Sequence, residues 1–384
     1  MLGLPKKFDT YPEPMQKEFL RHKAIRESGK KLVGYACAYA PVELVMAAGA
    51  VPVCITTIDP STISAAEKRL PKNMCPMITA PYGSALEELN PAAYYTDMIM
   101  VETSCDGRKK MYEKLAEIKP VHSMHLPQGI HAPGSFEYWY KEMVSAKESL
   151  EKTLGVEITD EKLREAIKET NRERMAAYEY FELGKLSPCP ISGPEMLLTA
   201  ELPGMETSSA KRAETIEKRT AELKAAYENG EIKKSPRPRI LVTGCPIIGV
   251  KNKVMQTLED SGLEVVFIEN CCGLREKKDL INEEIDPLTA IAEKYFKLPC
   301  AVMTPNPARI EDMGKYIDEF RVDGVVEVIL QACHTFGIEG DTIKEYVTKE
   351  KGIPYLGLET DFSSADTGQI ATRIGAFAEL ISAN

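Results

Sequence analysis

Ten cysteines punctuate this 384-residue chain, and their placement is its most chemically suggestive feature. At five junctions a short apolar run hands over to a loop that carries a thiol. These are Cys37 (Y-A-C-A-Y), Cys105 (T-S-C-D-G), Cys245 (T-G-C-P), the doublet Cys271-Cys272 (E-N-C-C-G) and Cys333 (Q-A-C-H). Cys75 (N-M-C-P) adds a further loop thiol. Open α/β sheets bind their ligands just beyond the carboxyl ends of strands. Thiolates gathered there suit a soft metal group better than structural disulfides.

Context sorts the ten. Cys54, inside V-P-V-C-I-T, and Cys300, at the start of an apolar run, read as core packing. Cys189 lies between two prolines in a linker. The other seven differ. Proline follows Cys75 and Cys245 and stiffens the turn, while Gly107 and Gly273 follow Cys105 and Cys272 closely and permit a near approach of backbone to a bulky ligand. Helices are predicted after Cys37, Cys105, Cys245 and Cys333, and a helix N-terminus favours thiolate over thiol. No C-x-x-C pair of the structural-zinc kind is present, nor a ferredoxin-like run. The ligands must therefore converge from distant loops, as an iron–sulfur cluster in an interdomain cleft would require. The doublet can hardly aim both sulfurs at one cubane. Cys271, at the strand end proper, is the first choice, with Cys272 the alternative.

The elements that must position these thiols alternate. In the C-terminal part, strands are predicted at Arg239–Thr243, Leu263–Glu269, Ala301–Thr304, Gly324–Gln331 and Pro354–Glu359. Helices lie between and after them, near Lys251–Ser261, Arg309–Phe320, Asp341–Glu350 and Gln369–Ile381. The N-terminal part repeats the plan, with strands at Lys31–Ala36, Val51–Thr56, Thr96–Glu102 and Pro120–Leu126. Gly49 stops a helix over Pro41–Ala48, and another helix covers Arg108–Ile118. Strands alternating with helices imply a parallel, doubly wound sheet. The expected fold is α/β: two Rossmann-like domains, residues 1–134 and 236–384, joined by a helical connector over 135–235. Within the connector Thr159 is the expected N-cap of one helix. Ser187–Pro194 breaks the helical region, and Lys234–Pro238 reads as the last linker.

Composition sets outer limits. The chain is 43% hydrophobic and 28% charged with a net charge of -10, which argues against nucleic-acid binding and against docking on anionic membranes. No apolar run reaches membrane-spanning length, and the start lacks the apolar core of a signal peptide. A cytoplasmic location, where thiols stay reduced, is expected. Gly244–Gly249 lacks the Gly-Lys-Ser/Thr ending of a phosphate loop, so this chain is expected to bind no nucleotide. His122 and His125 have odd spacing on a predicted strand and face opposite sides. His334, directly after Cys333, is a candidate proton donor to the cluster, with a plain hydrogen-bonding role as the alternative. Asp106 reads as a helix cap. Glu102, Glu269 and Glu359 end strands near the same edge and are candidates for a proton relay.

Taken together, G-Y-A-C, A-P-V-E-L-V-M-A-A-G-A-V-P-V, L-P-K-N-M-C-P, E-T-S-C-D-G-R-K-K-M-Y-E, T-G-C-P-I-I-G, E-N-C-C-G and D-G-V-V-E-V-I-L-Q-A-C-H resemble the 2-hydroxyacyl-CoA dehydratase and benzoyl-CoA reductase subunit family over nearly the whole chain. Within it the double-cubane cluster proteins look most similar. The resemblance implies a homodimer whose chains each hold two [4Fe–4S] cubanes joined by a sulfide, an [8Fe–9S] centre. It also implies an ATP-hydrolysing partner reductase, carrying its own [4Fe–4S] cluster, that supplies low-potential electrons for reducing a small unsaturated substrate. A bridged pair of cubanes leaves six corner irons, which Cys37, Cys75, Cys105, Cys245, Cys271 and Cys333 would ligate. The alternatives are a subunit of an (R)-2-hydroxyacyl-CoA dehydratase with one [4Fe–4S] cluster, and a non-enzymatic electron store.

Overall fold

The computed structural model describes residues 3–233 and 237–383. The chain forms two compact units: Met1–Thr170 with Ile281–Leu298, and Asn171–Leu280 with Pro299–Asn384. Each unit is built on one four-stranded, wholly parallel sheet. The helices of the predicted connector divide between the two units, and of the predicted linker Lys234–Pro238, residues 234–236 lie outside the described residues. Among the described residues no helix is long and apolar enough to cross a membrane.

In the first unit the strands are β1 (Leu32–Tyr35), β2 (Val51–Cys54), β3 (Met98–Glu102) and β4 (Val121–Met124), in the order β2-β1-β3-β4. The apolar run M-I-M-V-E of β3 is buried throughout, as a strand covered on both faces demands. Gly34 of β1 leaves room for its neighbours, because a Cβ there would stand 2.8 Å from Ile55 Cγ2. The helix Ser135–Leu154 packs its Trp139 into this core. The indole Nε1 donates to the carbonyl of Ala292 at 3.0 Å, on the returning helix Pro287–Phe296. Asp286 caps that helix by accepting from Thr289 N at 2.8 Å. Gly49 does end its helix, at φ 71°, and Thr159 Oγ1 accepts from Lys162 N as an N-cap should.

In the second unit the strands are β5 (Arg239–Gly244), β6 (Glu264–Glu269), β7 (Gly324–Leu330) and β8 (Tyr355–Thr360), in the order β6-β5-β7-β8. Phe267 of β6 anchors an aromatic cluster, with ring centroids 4.3 Å from Tyr316 and 4.4 Å from Phe320.

Three local expectations are corrected. Ala301–Thr304 is not a strand but a turn closed by Met303 N donating to Cys300 O at 2.9 Å. The run is too short to pair, and Pro305 follows directly. Lys251–Ser261 is a π-helical turn, Lys251–Gln256, continued by the short helix Thr257–Asp260. Asp106 is the first residue of its helix rather than the cap. Cys105 occupies the N-cap, and the exposed Asp106 pairs with Lys109 at 2.6 Å.

Candidate functional site

Because every strand of a sheet runs the same way, their carboxyl ends share one edge, and the thiols follow directly on those ends. In the first unit Cys37 follows β1 and Cys105 follows β3, which are hydrogen-bonded neighbours; Cys54 closes β2. In the second unit Cys271 follows β6, Cys245 follows β5 and Cys333 follows β7, three adjacent strands. None of the ten cysteines is in a disulfide.

Three of the thiols stand where a helix begins. Cys75 is the N-cap of Pro76–Leu86, Cys105 of Asp106–Leu115 and Cys333 of His334–Glu345. The positive end of each helix favours an anionic sulfur there. Gly107 lets the Cys105 loop approach the Cys75 loop, since a Cβ at this position would meet Ile78 Cδ1 at 2.9 Å and Met74 Cε at 3.0 Å. The structure departs from expectation at Cys245, which is followed by a 3-10 turn, Ile248–Val250, and the π-helical turn instead of an α-helix.

The first unit also places a cation among its thiols. Arg108, buried near the start of its helix, lies close enough to Cys37, Cys105, Glu102 and Tyr112 for their charges to act on it, and it acts on Cys54 as well. Cys54 was expected in the core, yet it belongs to this group by position. Glu102 ends β3 fully buried, with Arg108 Nη1 and Tyr112 OH at 3.5 Å. Burial pushes its carboxyl up to about 7, against the opposing pull of Arg108 and Cys37.

A pH dependence follows from Glu102. Between its ordinary value of 4.5 and about 7 the folded chain keeps a proton that the unfolded chain has released. The stability contributed by the neutral carboxyl is full below 4.5 and is lost as pH rises through 7, on the order of 3 kcal/mol. Urea unfolding at about pH 5 and about pH 8 should therefore show a larger loss for the wild type than for Glu102→Gln, which stays neutral. Equal losses would contradict this assignment.

In the second unit Asn270 ties two thiol loops together. It is fully buried, donates through Nδ2 to Cys245 O at 3.0 Å, and accepts through Oδ1 from Cys272 N at 2.8 Å. The Cys245 sulfur accepts from Leu330 N at 3.3 Å, across the β5–β7 boundary. Cys272 is buried, and burial pushes its thiol up to about 11 even though the amides of Ile247 and Ile248 oppose the shift. Cys271 is half-buried beside Cys300 and Arg275. Burial, reinforced by Cys271, pushes the Cys300 thiol up to about 12. Cys300 thus sits in a turn next to a candidate ligand, not at the start of a strand.

Backbone geometry aims these thiols. Gly244 has φ 100°, and a Cβ there would stand 2.2 Å from Val328 O. Gly244→Ala should cost about 2–4 kcal/mol in urea unfolding, from strain and overlap together. A cost below about 1 kcal/mol would show that the turn into Cys245 is not restrained in this way. Before Cys333, Ala332 takes the left-handed conformation, φ 57°.

A network of buried charges lies within the same unit. Arg275 pairs with Glu269 through Nε at 2.8 Å and Nη2 at 2.9 Å. Arg309, fully buried, donates through Nη2 to Thr243 Oγ1 at 3.0 Å and Glu327 Oε1 at 2.9 Å, and through Nη1 to Glu339. Thr243 Oγ1 donates to Glu269 Oε2 at 2.6 Å, and Tyr355 OH to Glu327 Oε2 at 2.8 Å. Burial works against the Glu269 carboxylate, but Arg275 and Arg309 outweigh it and hold the group below its ordinary value. Sequence reading missed both arginines. Only their buried pairing with strand-end carboxylates marks them, and charged residues in helices and loops look alike in a sequence.

His334 and Glu359 are exposed. His122 is half-buried on β4, and burial lowers its imidazole value. Cys189 is fully buried, with its amide donating to Glu264 Oε1 at 3.0 Å. Among the described residues no three His, Cys, Asp or Glu side chains are grouped so as to hold a metal ion. The residues available to a soft metal group are thus thiols ranged along two sheet edges.

Comparison with known proteins agrees with the motifs. The family model for the 2-hydroxyglutaryl-CoA dehydratase D-component matches residues 37–381. YjiM of Escherichia coli (strain K12), provisionally named a dehydratase subunit, is 40% identical over 378 residues, covering 98% of each chain. The beta subunit of (R)-2-hydroxyglutaryl-CoA dehydratase from Acidaminococcus fermentans is 24% identical, covering 92% of this chain and 93% of its own. A benzoyl-CoA reductase subunit of Thauera aromatica is 21% identical, covering 92% of each chain. With its strand-end cysteines in place and a family model matched across nearly its full length, the chain belongs to the 2-hydroxyacyl-CoA dehydratase and benzoyl-CoA reductase subunit family.

Proposed function

We propose that this protein is an iron–sulfur reductase component that takes low-potential electrons from an ATP-hydrolysing partner and delivers them to a small unsaturated substrate. The observation that carries the reading is the thiol array. Cys37 and Cys105 follow adjacent strands of one sheet with Cys75 on a neighbouring loop, and Cys271, Cys245 and Cys333 follow three adjacent strands of the other. The donor set suits an anionic iron–sulfur group. It is sulfur throughout, it includes three helix N-termini, and each unit carries a buried guanidinium beside its thiols, Arg108 or Arg275.

Six thiols are proposed as ligands, Cys37, Cys75 and Cys105 in one unit and Cys245, Cys271 and Cys333 in the other, the number that an [8Fe–9S] double cubane takes. Cys271 is preferred to Cys272. The Cys272 thiol is buried, engaged by backbone amides and raised to about 11, whereas Cys271 is more open. When bound, such a centre supplies one-electron transfer at low potential. The chain's part is to exclude water at the sheet edges, to offer amide hydrogen bonds such as Leu330 N to Cys245 Sγ, and to balance negative charge with Arg108 and Arg275. A homodimer and a separate ATPase partner belong to the same reading.

A second reading is favoured by the 40% identity to a chain provisionally named a dehydratase subunit. In it the protein is one subunit of a 2-hydroxyacyl-CoA dehydratase with a single [4Fe–4S] cluster. Iron and acid-labile sulfide counts on anaerobically purified protein separate the two. About eight irons per chain supports the double cubane and about four the dehydratase subunit. A chain without iron sinks both. Reoxidation of the reduced protein by substrate, with no other acceptor present, would exclude a purely electron-storing role.

A further inference from the structure

Arg275 has more hydrogen-bonding capacity than its surroundings use. It follows the Cys271-Cys272 doublet in the turn beyond β6, and its side chain is almost completely buried. Nε and Nη2 are committed to Glu269, to both carboxylate oxygens and, at 3.2 Å, to its backbone carbonyl. The Phe336 ring covers the guanidinium, with its centroid 5.3 Å away. Nη1 is out of reach of solvent and has no acceptor. Nearly all buried polar groups find a partner, and an unmet one costs about 1–3 kcal/mol, more when charged. Besides Glu269, the ionisable groups close enough for a charge on them to act on this guanidinium include the sulfurs of Cys271 and Cys300. Both belong to the same unit as Arg275, and neither sulfur is matched to that donor.

We propose that Arg275 Nη1 is a donor reserved for an anionic sulfur at the Cys271–Cys300 end of the second unit's sheet edge, either a thiolate or an inorganic sulfide of the bound group, and that through this hydrogen bond Arg275 sets the group's potential. The inference rests on the iron–sulfur reading above. A hydrogen bond from a fixed cation strengthens as its acceptor gains negative charge. It therefore favours the reduced state and raises the potential. Arg275 acts here as a positioning residue and exchanges no electron or proton with the substrate. Glu269 holds the guanidinium fork in place, with Arg309 3.6 Å from the far carboxylate oxygen.

The test uses anaerobically prepared holoprotein in wild-type, Arg275→Lys, Glu269→Gln and doubly substituted Glu269→Gln/Arg275→Gln forms. Iron and sulfide content, thermal unfolding and the midpoint potential by redox titration are read for each. The double variant removes both charges together, so the fold is not left with an unpaired buried ion. Arg275→Lys and the double variant should keep wild-type unfolding but show a lower midpoint. The expected shift is roughly a tenfold less favourable one-electron equilibrium, about 59 mV. Loss of iron from a folded Arg275→Lys protein would also support the contact, whereas Glu269→Gln alone, which leaves the buried guanidinium without its counter-charge, should lower the unfolding temperature. A purely structural arginine would lower stability and leave the potential unchanged, and that result overturns the proposal. A measurement on the wild type guards against variants that fail to fold. Protein labelled with guanidino-15N arginine should show a nitrogen hyperfine coupling to the reduced centre, and absence of any coupling overturns the proposal. A wild-type chain lacking iron overturns the iron–sulfur reading itself, whereas iron with an unmoved midpoint overturns the role of Arg275 alone.

Discussion

Arg309→Met is expected to destabilise the second unit by about 3–5 kcal/mol, because it strips the cation from a buried network and leaves its carboxylates unpaired. Arg309 is fully buried. It holds Glu327 at 2.9 Å and Thr243 at 3.0 Å, bonds Glu339, and lies 3.6 Å from Glu269. Burial already pushes the Glu327 carboxyl up, and Arg309 is the leading opposing influence. Without it, Glu327 would fold as the neutral acid at a cost that grows with pH. Urea unfolding measures the loss. Arg309→Met/Glu327→Leu should recover a substantial part of it, since a buried pair replaced whole by apolar groups is often neutral. A single-variant loss below about 1 kcal/mol would show that solvent reaches this network.

The second large effect concerns the metal. Cys105→Ala and Cys333→Ala, each purified anaerobically, should lose at least about half the iron found in the wild type, with a matching loss of visible absorption. Cys189→Ala should retain it. The two thiols stand at helix N-caps directly after β3 and β7, where a thiolate is favoured. Cys189, by contrast, is fully buried, and its sulfur lies 3.4 Å from the Ile191 carbonyl. Full iron and an unchanged spectrum in either ligand variant would end the ligand assignment for that residue.

Much of this architecture is legible in the residues themselves. Runs such as R-I-L-V-T, L-E-V-V-F-I-E and G-V-V-E-V-I-L-Q have no polar face, and a strand with no polar face is buried on both sides. They appear as β5 and β7 at the centre of a parallel sheet and as β6 at its edge, which is buried throughout all the same. Ala301–Thr304 failed because four residues with weak patterning cannot outweigh a turn and a following proline. Asp106 failed because a cap is chosen by backbone conformation. Cys105 has the extended φ of -116° that the N-cap needs, and the aspartate one position later faces solvent.

Residue order dictates which atoms are available for chemistry and where along each strand they fall. A thiol after an apolar run lies at a strand's carboxyl end, because strand direction and side-chain order are local properties of the chain. Which thiols become neighbours depends on strand order, and that is settled by how whole elements pack. β6-β5-β7 brings Cys271, Cys245 and Cys333 onto consecutive strands although their positions in the chain are far apart. Tertiary structure alone decided that Cys300 lies beside Cys271, that Cys54 joins Cys37 and Cys105 around Arg108, and that Arg275 and Arg309 are buried. A charge is tolerated in an interior only when a counter-charge meets it there: Arg309 draws its own from Glu327 and Glu339 on separate elements, while Arg275 pairs with Glu269 six residues before it, and nothing local in the sequence shows that either pair is buried.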